Sequence, residues 1–264
     1  MINKKHETYY HYTTVAGCFG ILNSRKIWLT DYRYLNDKLE LRQGLKSFLT
    51  KIRPDQRKSL ERALQWHDTF NHHCVFSLSH SPKILSQWRA YASDGGGMAL
   101  GLNSTFLNYQ GLTLVECRYE DHDPYAEELA SKHDAFVVSV QEASESLRAE
   151  NDFMDWIRAN SSGFYKLIED LIALKNPAFS EERELRVIRS CPLGDEAIKV
   201  RVARDLMIPY IEVDIWPKNE DRTAFFVMIP EIWLGPKCNE LNRHSIMAMN
   251  MGMCTIERHD CGYV

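Results

Sequence analysis

The chain is 264 residues long, 44% hydrophobic and 26% charged, with 32 basic and 36 acidic residues and a formal net charge of −4. Those proportions exclude a disordered chain, and the length suffices to bury a full core, read as a single domain over 1–264. No basic tail or stripe announces nucleic acid, although folding can still gather a basic patch.

No apolar run approaches a membrane span, and the N-terminus Met1–His6 lacks the apolar core of a secretory signal. Seven cysteines with no Cys-x-x-Cys pair read as reduced thiols of a cytoplasmic protein. Composition leaves the oligomeric state open.

Tyr9-Tyr10-His11-Tyr12 is a short polar-aromatic strand, after which Thr13 or Thr14 caps a helix carrying Val15, Cys18, Phe19 and Leu22 on one face. Ile27-Trp28-Leu29-Thr30 is a second strand. Asp31 to Asp37 is a loop rich in aromatic and polar groups, among them Tyr32. Asn36 or Asp37 caps the next helix, striped by Leu41, Leu45, Phe48 and Ile52. Pro54 suits the first turn of another, which runs to about Phe70.

His67, His72, His73, Cys74 and His80 invite a metal reading. Adjacent His72 and His73 point to opposite sides of a strand, however, and no paired motif completes a tetrahedral set. The simpler reading is a polar loop before a buried strand over Val75–Ser79. Ile84, Leu85, Trp88 and Tyr91 then share a helical face, read either as packing on the sheet or as a site wall. Gly95-Gly96-Gly97 precede the strand Met98–Leu102. With no Lys-Ser/Thr behind them they are not a phosphate loop, but a tight connection that can double as a cleft wall.

Leu112–Tyr119 is a strand, and helices follow over about 125–175. This insert is amphipathic. Its charged face is simply solvated, or it serves as a lid or partner surface. In Asn176–Arg189, alternation places Glu182, Glu184 and Arg186 on one face of a strand. Two carboxylates beside an arginine suit a cleft wall, and the competing reading is a surface salt bridge. Strands at Ile198–Arg204, Leu206–Ile215, Ala224–Leu234 and Cys254–His259, with a helix over Glu240–Asn250, close the chain. The order implies an α+β domain with a mixed, mostly antiparallel, split or bent sheet, flanking helices and a helical insert.

Tyr10-His11-Tyr12-Thr13 with its helix and strand, the Asn36-Asp37 loop, the Cys74–Ser79 strand, the Trp88…Tyr91 pair and Glu182-x-Glu184-x-Arg186 together resemble a bacterial family of unknown function. More distantly, His-x-Thr followed by helix and strand resembles the opening of the ADP-ribosyltransferase superfamily, especially its DNA-modifying toxin and RNA 2′-phosphotransferase branches. Phe76-Ser77-Leu78-Ser79 is a loose match to that superfamily's aromatic-Ser-x-Ser pattern. The glycine that often follows the histidine there is Tyr12 here.

The distant resemblance implies an ADP-ribosyltransferase-like fold and NAD as substrate, with no metal. Glu184 would stabilise the oxocarbenium-like ribose, and Glu182 would orient or activate the acceptor. His11 would hold the ribose, with Thr13 beside it. Tyr12, Tyr32, Trp88 or Tyr91 would stack on a ring of the cofactor, Asp31 would line its site, and Arg186 or Arg89 would pair with the pyrophosphate. The acceptor would be a nucleic-acid base, a protein side chain or water, in a toxin or phage-defence effector. The rival is a non-catalytic module binding a nucleotide or nucleic-acid end through the same cleft. A metal-dependent hydrolase using His67, His72 and His73 ranks last.

Overall fold

A computed structural model describes residues 7–35, 40–104, 107, 112–119, 122–203, 205–215, 228–249 and 254–263. The expected cap at Asn36 or Asp37 and the start of the strand expected at Ala224 lie outside the described residues. The opening unit is β1 (Thr8–Thr13), α1 (Val15–Ser24) and β2 (Lys26–Asp31). Thr14 is the cap, its hydroxyl accepting the Gly17 N–H at 3.0 Å. Arg25, left-handed at φ 60, stops the helix and turns the chain into β2.

Helices α2 (Glu40–Lys51) and α3 (Pro54–Thr69) follow, then β3 (Asn71–Ser79), α4 (Leu85–Tyr91) and β4 (Met98–Asn103). After β5 (Thr113–Glu116) come the three helices of the insert, α5 (His122–Ser146), α6 (Glu150–Ala159) and α7 (Ser161–Ile172). The remainder is β6 (Glu184–Pro192), β7 (Ile198–Ala203), β8 (Leu206–Asp214), β9 (Glu231–Leu234), α8 (Leu241–Ala248) and β10 (Thr255–Arg258). The architecture is α+β. Its mixed sheet is antiparallel in every described pairing except β9 with β10.

β3 is the axis of that sheet. Along one edge it pairs with β6 for its full length, from Asn71 opposite Pro192 to Ser79 opposite Glu184. Its other edge is divided. β2 takes Cys74 and Val75, and β1 takes Ser79. Between those contacts, residues 76–78 face a gap where the sheet parts. From there one arm runs outward as β1-β4-β9-β10 and the other as β2-β8-β7.

Alternation along β3 and β6 sorts the core. Cys74, Phe76, Leu78, Leu185 and Val187 join α1 residues Cys18 and Leu22 in one cluster. Val75 and Ile188 face the other way, into a second cluster built by α2, α3 and the insert, where Phe48, Leu60, Phe153, Phe164 and Leu171 are buried. The insert is therefore packed core. Glu184 and Arg186 precede Ile188 at even spacing, so they lie on the helical face of the sheet.

The triglycine is a tight connection. Gly95 has φ +85, and a Cβ on Gly97 would lie 2.3 Å from the Thr13 carbonyl oxygen and 2.9 Å from that of Ala92. Backbone cannot yield as a side-chain tip does. Gly97→Ala is therefore expected to destabilise the protein by about 2 kcal/mol or more, measured by urea unfolding. Gly20, in α1, has nothing within 4 Å of its Cβ position. Gly20→Ala is expected to stabilise by about 0.5–1 kcal/mol, and similar values for the two variants would refute the close-approach account.

Candidate functional site

The parting of the sheet opens into a cavity of about 520 Å³, within the range of small-molecule sites. Both arms contribute, with Tyr10, His11 and Tyr12 from β1 and Trp28 and Thr30 from β2. The floor is residues 75–78 of β3. Gln87 and Tyr91 of α4, Lys175 and Phe179 beyond α7, Glu182, Glu184 and Arg186 near the start of β6, and Arg201 of β7 complete most of the wall.

His11 and Glu184, far apart in sequence, both border this cavity, His11 from the Phe76 face of the sheet and Glu184 from the helical face. The His11 ring stacks on Phe76 with centroids 4.1 Å apart. Its Nδ1 lies 3.0 Å from the Ser77 carbonyl oxygen, an acceptor that requires the Nδ1–H tautomer and leaves a lone pair on Nε2. Burial pushes the imidazole down to about 4, so it is neutral at pH 7.

Glu182 does not share a strand with Glu184. It closes a 3-10 turn over Pro177–Glu182, and Arg183, left-handed at φ 44, starts β6 at Glu184. The expected alternation over 182–186 is broken there, yet the two carboxylates still converge, because Lys175 Nζ donates to both. Arg186 adds Nε and Nη2 bonds to Glu184 at 2.9 and 3.2 Å, and its Nη1 donates to the Ile172 carbonyl at 2.6 Å. All four side chains are buried.

Burial alone would raise the Glu184 carboxyl, but Arg186 and Lys175 outweigh it and hold the group down to about 2. Burial disfavours the Lys175 charge, and the two carboxylates override that and raise its pKa. Glu182, where burial wins over its single lysine contact, is pushed up from the ordinary carboxylate value. Two neighbouring acids are driven in opposite directions, one fixed as an anion and the other readier to take a proton.

Tyr12 lines the cavity with its hydroxyl committed, donating to Ser81 O at 2.8 Å and accepting from Ile84 N at 3.1 Å. Tyr91 lines it and is 37% exposed. Five expected site residues stand outside the cavity lining. Thr13 turns its hydroxyl toward α1 at Gly17. Asp31 is fully buried, chelated by Arg33 and bonded to His72 Nδ1 at 2.7 Å. The Tyr32 hydroxyl is held by Asp68 at 2.8 Å. Trp88 is fully buried, its Nε1 donating to Pro82 O, so neither face is open to a ligand. Arg89 stacks over Tyr263.

Sequence reasoning missed Lys175, Gln87, Trp28 and Arg201. Gln87 stands one helical turn before Tyr91, so the spacing that marked Tyr91 also reached it. Lys175 carried no signal, being one lysine at a helix end. The histidines divide. His67 and His73 pack together at 5.5 Å, His72 turns to Asp31, and His80 lies 3.3 Å from Glu116. Among the described residues no three His, Cys, Asp or Glu side chains gather as a metal centre, and no helix is long and apolar enough to cross a membrane.

No curated protein and no solved structure matches the chain. Residues 87–187, from Gln87 in the cavity wall through Lys175 to the Glu184-Arg186 strand, match the model of a family described as Protein of unknown function (DUF2971).

Proposed function

We propose that the cleft binds NAD and that the protein is an ADP-ribosyltransferase-like enzyme acting on nucleic acid, protein or water. The observation that supports the reading is that His11 and Glu184 both line one cavity with aromatic walls. In this reading the nicotinamide leaves with the electron pair of its bond to the ribose. Glu184, held ionised by Arg186 and Lys175, stabilises the oxocarbenium that develops. The Nε2 lone pair of His11 accepts a ribose hydroxyl proton in a hydrogen bond. Glu182, with its raised pKa, takes the proton of the acceptor as the acceptor bonds to the ribose carbon. An activity of this kind suits a toxin or phage-defence effector, and a split-sheet fold of the same superfamily is part of the proposal.

A second reading is a binding module without turnover. It is favoured by the saturation of Glu184, whose two oxygens are both engaged by Arg186 and Lys175, which spreads its charge over existing partners.

Nicotinamide release from NAD separates the two. Wild type is expected to release it, and Glu184→Gln to lose about two orders of magnitude or more in rate. Because the substitution also removes one partner from a buried ion cluster and lowers stability, rates are compared at a temperature where unfolding curves show both proteins folded. Absence of release by wild type, even with cell extract supplying acceptors, would reject the transferase and leave the binding module.

A further inference from the structure

The cavity has a second end. Lys175, Glu184 and Arg186 stand on the β6 side of β3, whereas Trp28, Thr30 and Arg201 belong to the arm β2-β8-β7 on its other side. Arg201 reaches across β8, and its Nη2 donates to Thr30 Oγ1 at 3.2 Å. Its guanidinium carbon stands 5.6 Å from the centroid of the Trp28 ring. Trp28 leans on Tyr210, with centroids 4.7 Å apart, and remains 43% exposed.

The three cations lining the cavity differ in what they hold. Lys175 and Arg186 are ion-paired to the glutamates. Arg201 bonds a neutral hydroxyl, and its Nε is a buried N–H with no acceptor among the described residues. A buried donor left unsatisfied is costly, and an oxygen arriving from the cavity relieves that cost. The fork is already pinned by Thr30 and by the indole, so little side-chain freedom remains to be lost on binding.

We propose that Arg201 and Trp28 form a phosphate-and-ring subsite for a nucleotide, taking the pyrophosphate of an adenine nucleotide on the guanidinium and its base against the indole. A permanently charged planar fork matches phosphate oxygens two at a time, and an exposed indole is a stacking platform. This takes the phosphate role from Arg186 and Arg89, the first committed to Glu184 and the second outside the cavity lining. The inference rests on the proposed function for its ligand class, but not on turnover.

The test is calorimetric titration of the full chain with ADP, adenosine and a 5′-phosphorylated oligonucleotide. Wild type is expected to bind ADP more tightly than adenosine. Arg201→Gln is expected to weaken ADP about tenfold or more and leave adenosine unchanged. Arg201→Lys, which keeps the charge and loses the fork, recovers only part of the loss, and Trp28→Ala weakens both ligands. Equal ADP affinity in wild type and Arg201→Gln overturns the proposal, as does binding of the oligonucleotide without binding of ADP. ADP binding that depends on Arg201 with no nicotinamide release from NAD sustains the subsite and rejects the transferase. Nicotinamide release with a KM for NAD indifferent to Arg201 does the reverse.

Discussion

Acidification from pH 6.5 toward pH 4 is expected to destabilise the fold by up to about 4 kcal/mol per pH unit at the steepest, the value for three protons taken up on unfolding. The three are those of His11, His67 and His73. Burial lowers His11 and His67 to about 4 and His73 to about 3, against 6.5 in an unfolded chain. Between those values the unfolded chain binds protons that the folded one refuses, so stability falls as pH falls. Among the described residues, neither ring nitrogen of His67 has a partner, nor does Nε2 of His73. A charge on either ring would therefore be uncompensated.

Glu169 and Glu182, held above the ordinary carboxylate value by burial, act in the opposite sense just above pH 4.5 and soften the slope there. Asp31 and Glu184, held below theirs, add to the loss at lower pH. Urea unfolding across pH 7 to 4 measures the effect, and a flat profile over that range would contradict it. His67→Phe keeps the stack on Phe164 and is expected to remove one proton from the slope.

The second large effect centres on Lys175. Lys175→Met leaves Glu182 and Glu184 buried with, among the described residues, Arg186 alone against them. Removing one partner from a buried ion cluster costs about 3–5 kcal/mol, because the remaining charge is stranded away from water. The double variant Lys175→Met with Glu182→Gln removes the excess charge together with the lysine and is expected to recover most of that loss. Chemical denaturation of both variants measures the pair. A single variant as stable as wild type, or a double variant no better than the single, would show that the lysine does not neutralise the acids.

The legible parts of the sequence were those with local periodicity. The β1-α1-β2 unit, the helix started by Pro54, the strand through Val75–Ser79 and the insert helices all follow from apolar spacing and capping residues, whereas His72-His73-Cys74, expected as a polar loop, are buried residues within β3. The α+β class followed from their order. His11, Glu182, Glu184 and Arg186 were also within reach, because chemistry-bearing residues stood beside strong strands.

What was not legible depends on long-range pairing. Asp31 reads as a polar loop residue, and only the approach of β3 shows that Arg33 and His72 bury it. Trp88 reads as an aromatic wall until the burial of α4 hides both its faces. Arg201 sits in an edge strand of alternating charged and apolar residues, a pattern that ordinarily marks a solvated face. Its role comes from β8 and β2 folding beneath it. Lys175 becomes informative only when a left-handed turn at Arg183 brings two acids to it.

The divided edge of β3 also sets a timetable for synthesis. β2 has only a two-residue contact with β3, and its long pairing is with β8, where Lys26 bonds Glu212, 186 residues later. At about 5–20 residues per second, β2 emerges from the ribosome roughly 10–35 s before its main partner exists. Ile27 and Leu29, fully buried at the end, wait through that interval while the helical insert is being made. The cleft, whose last lining residue is Arg201 and whose β2 arm needs β8, therefore closes only after residue 214 has been made.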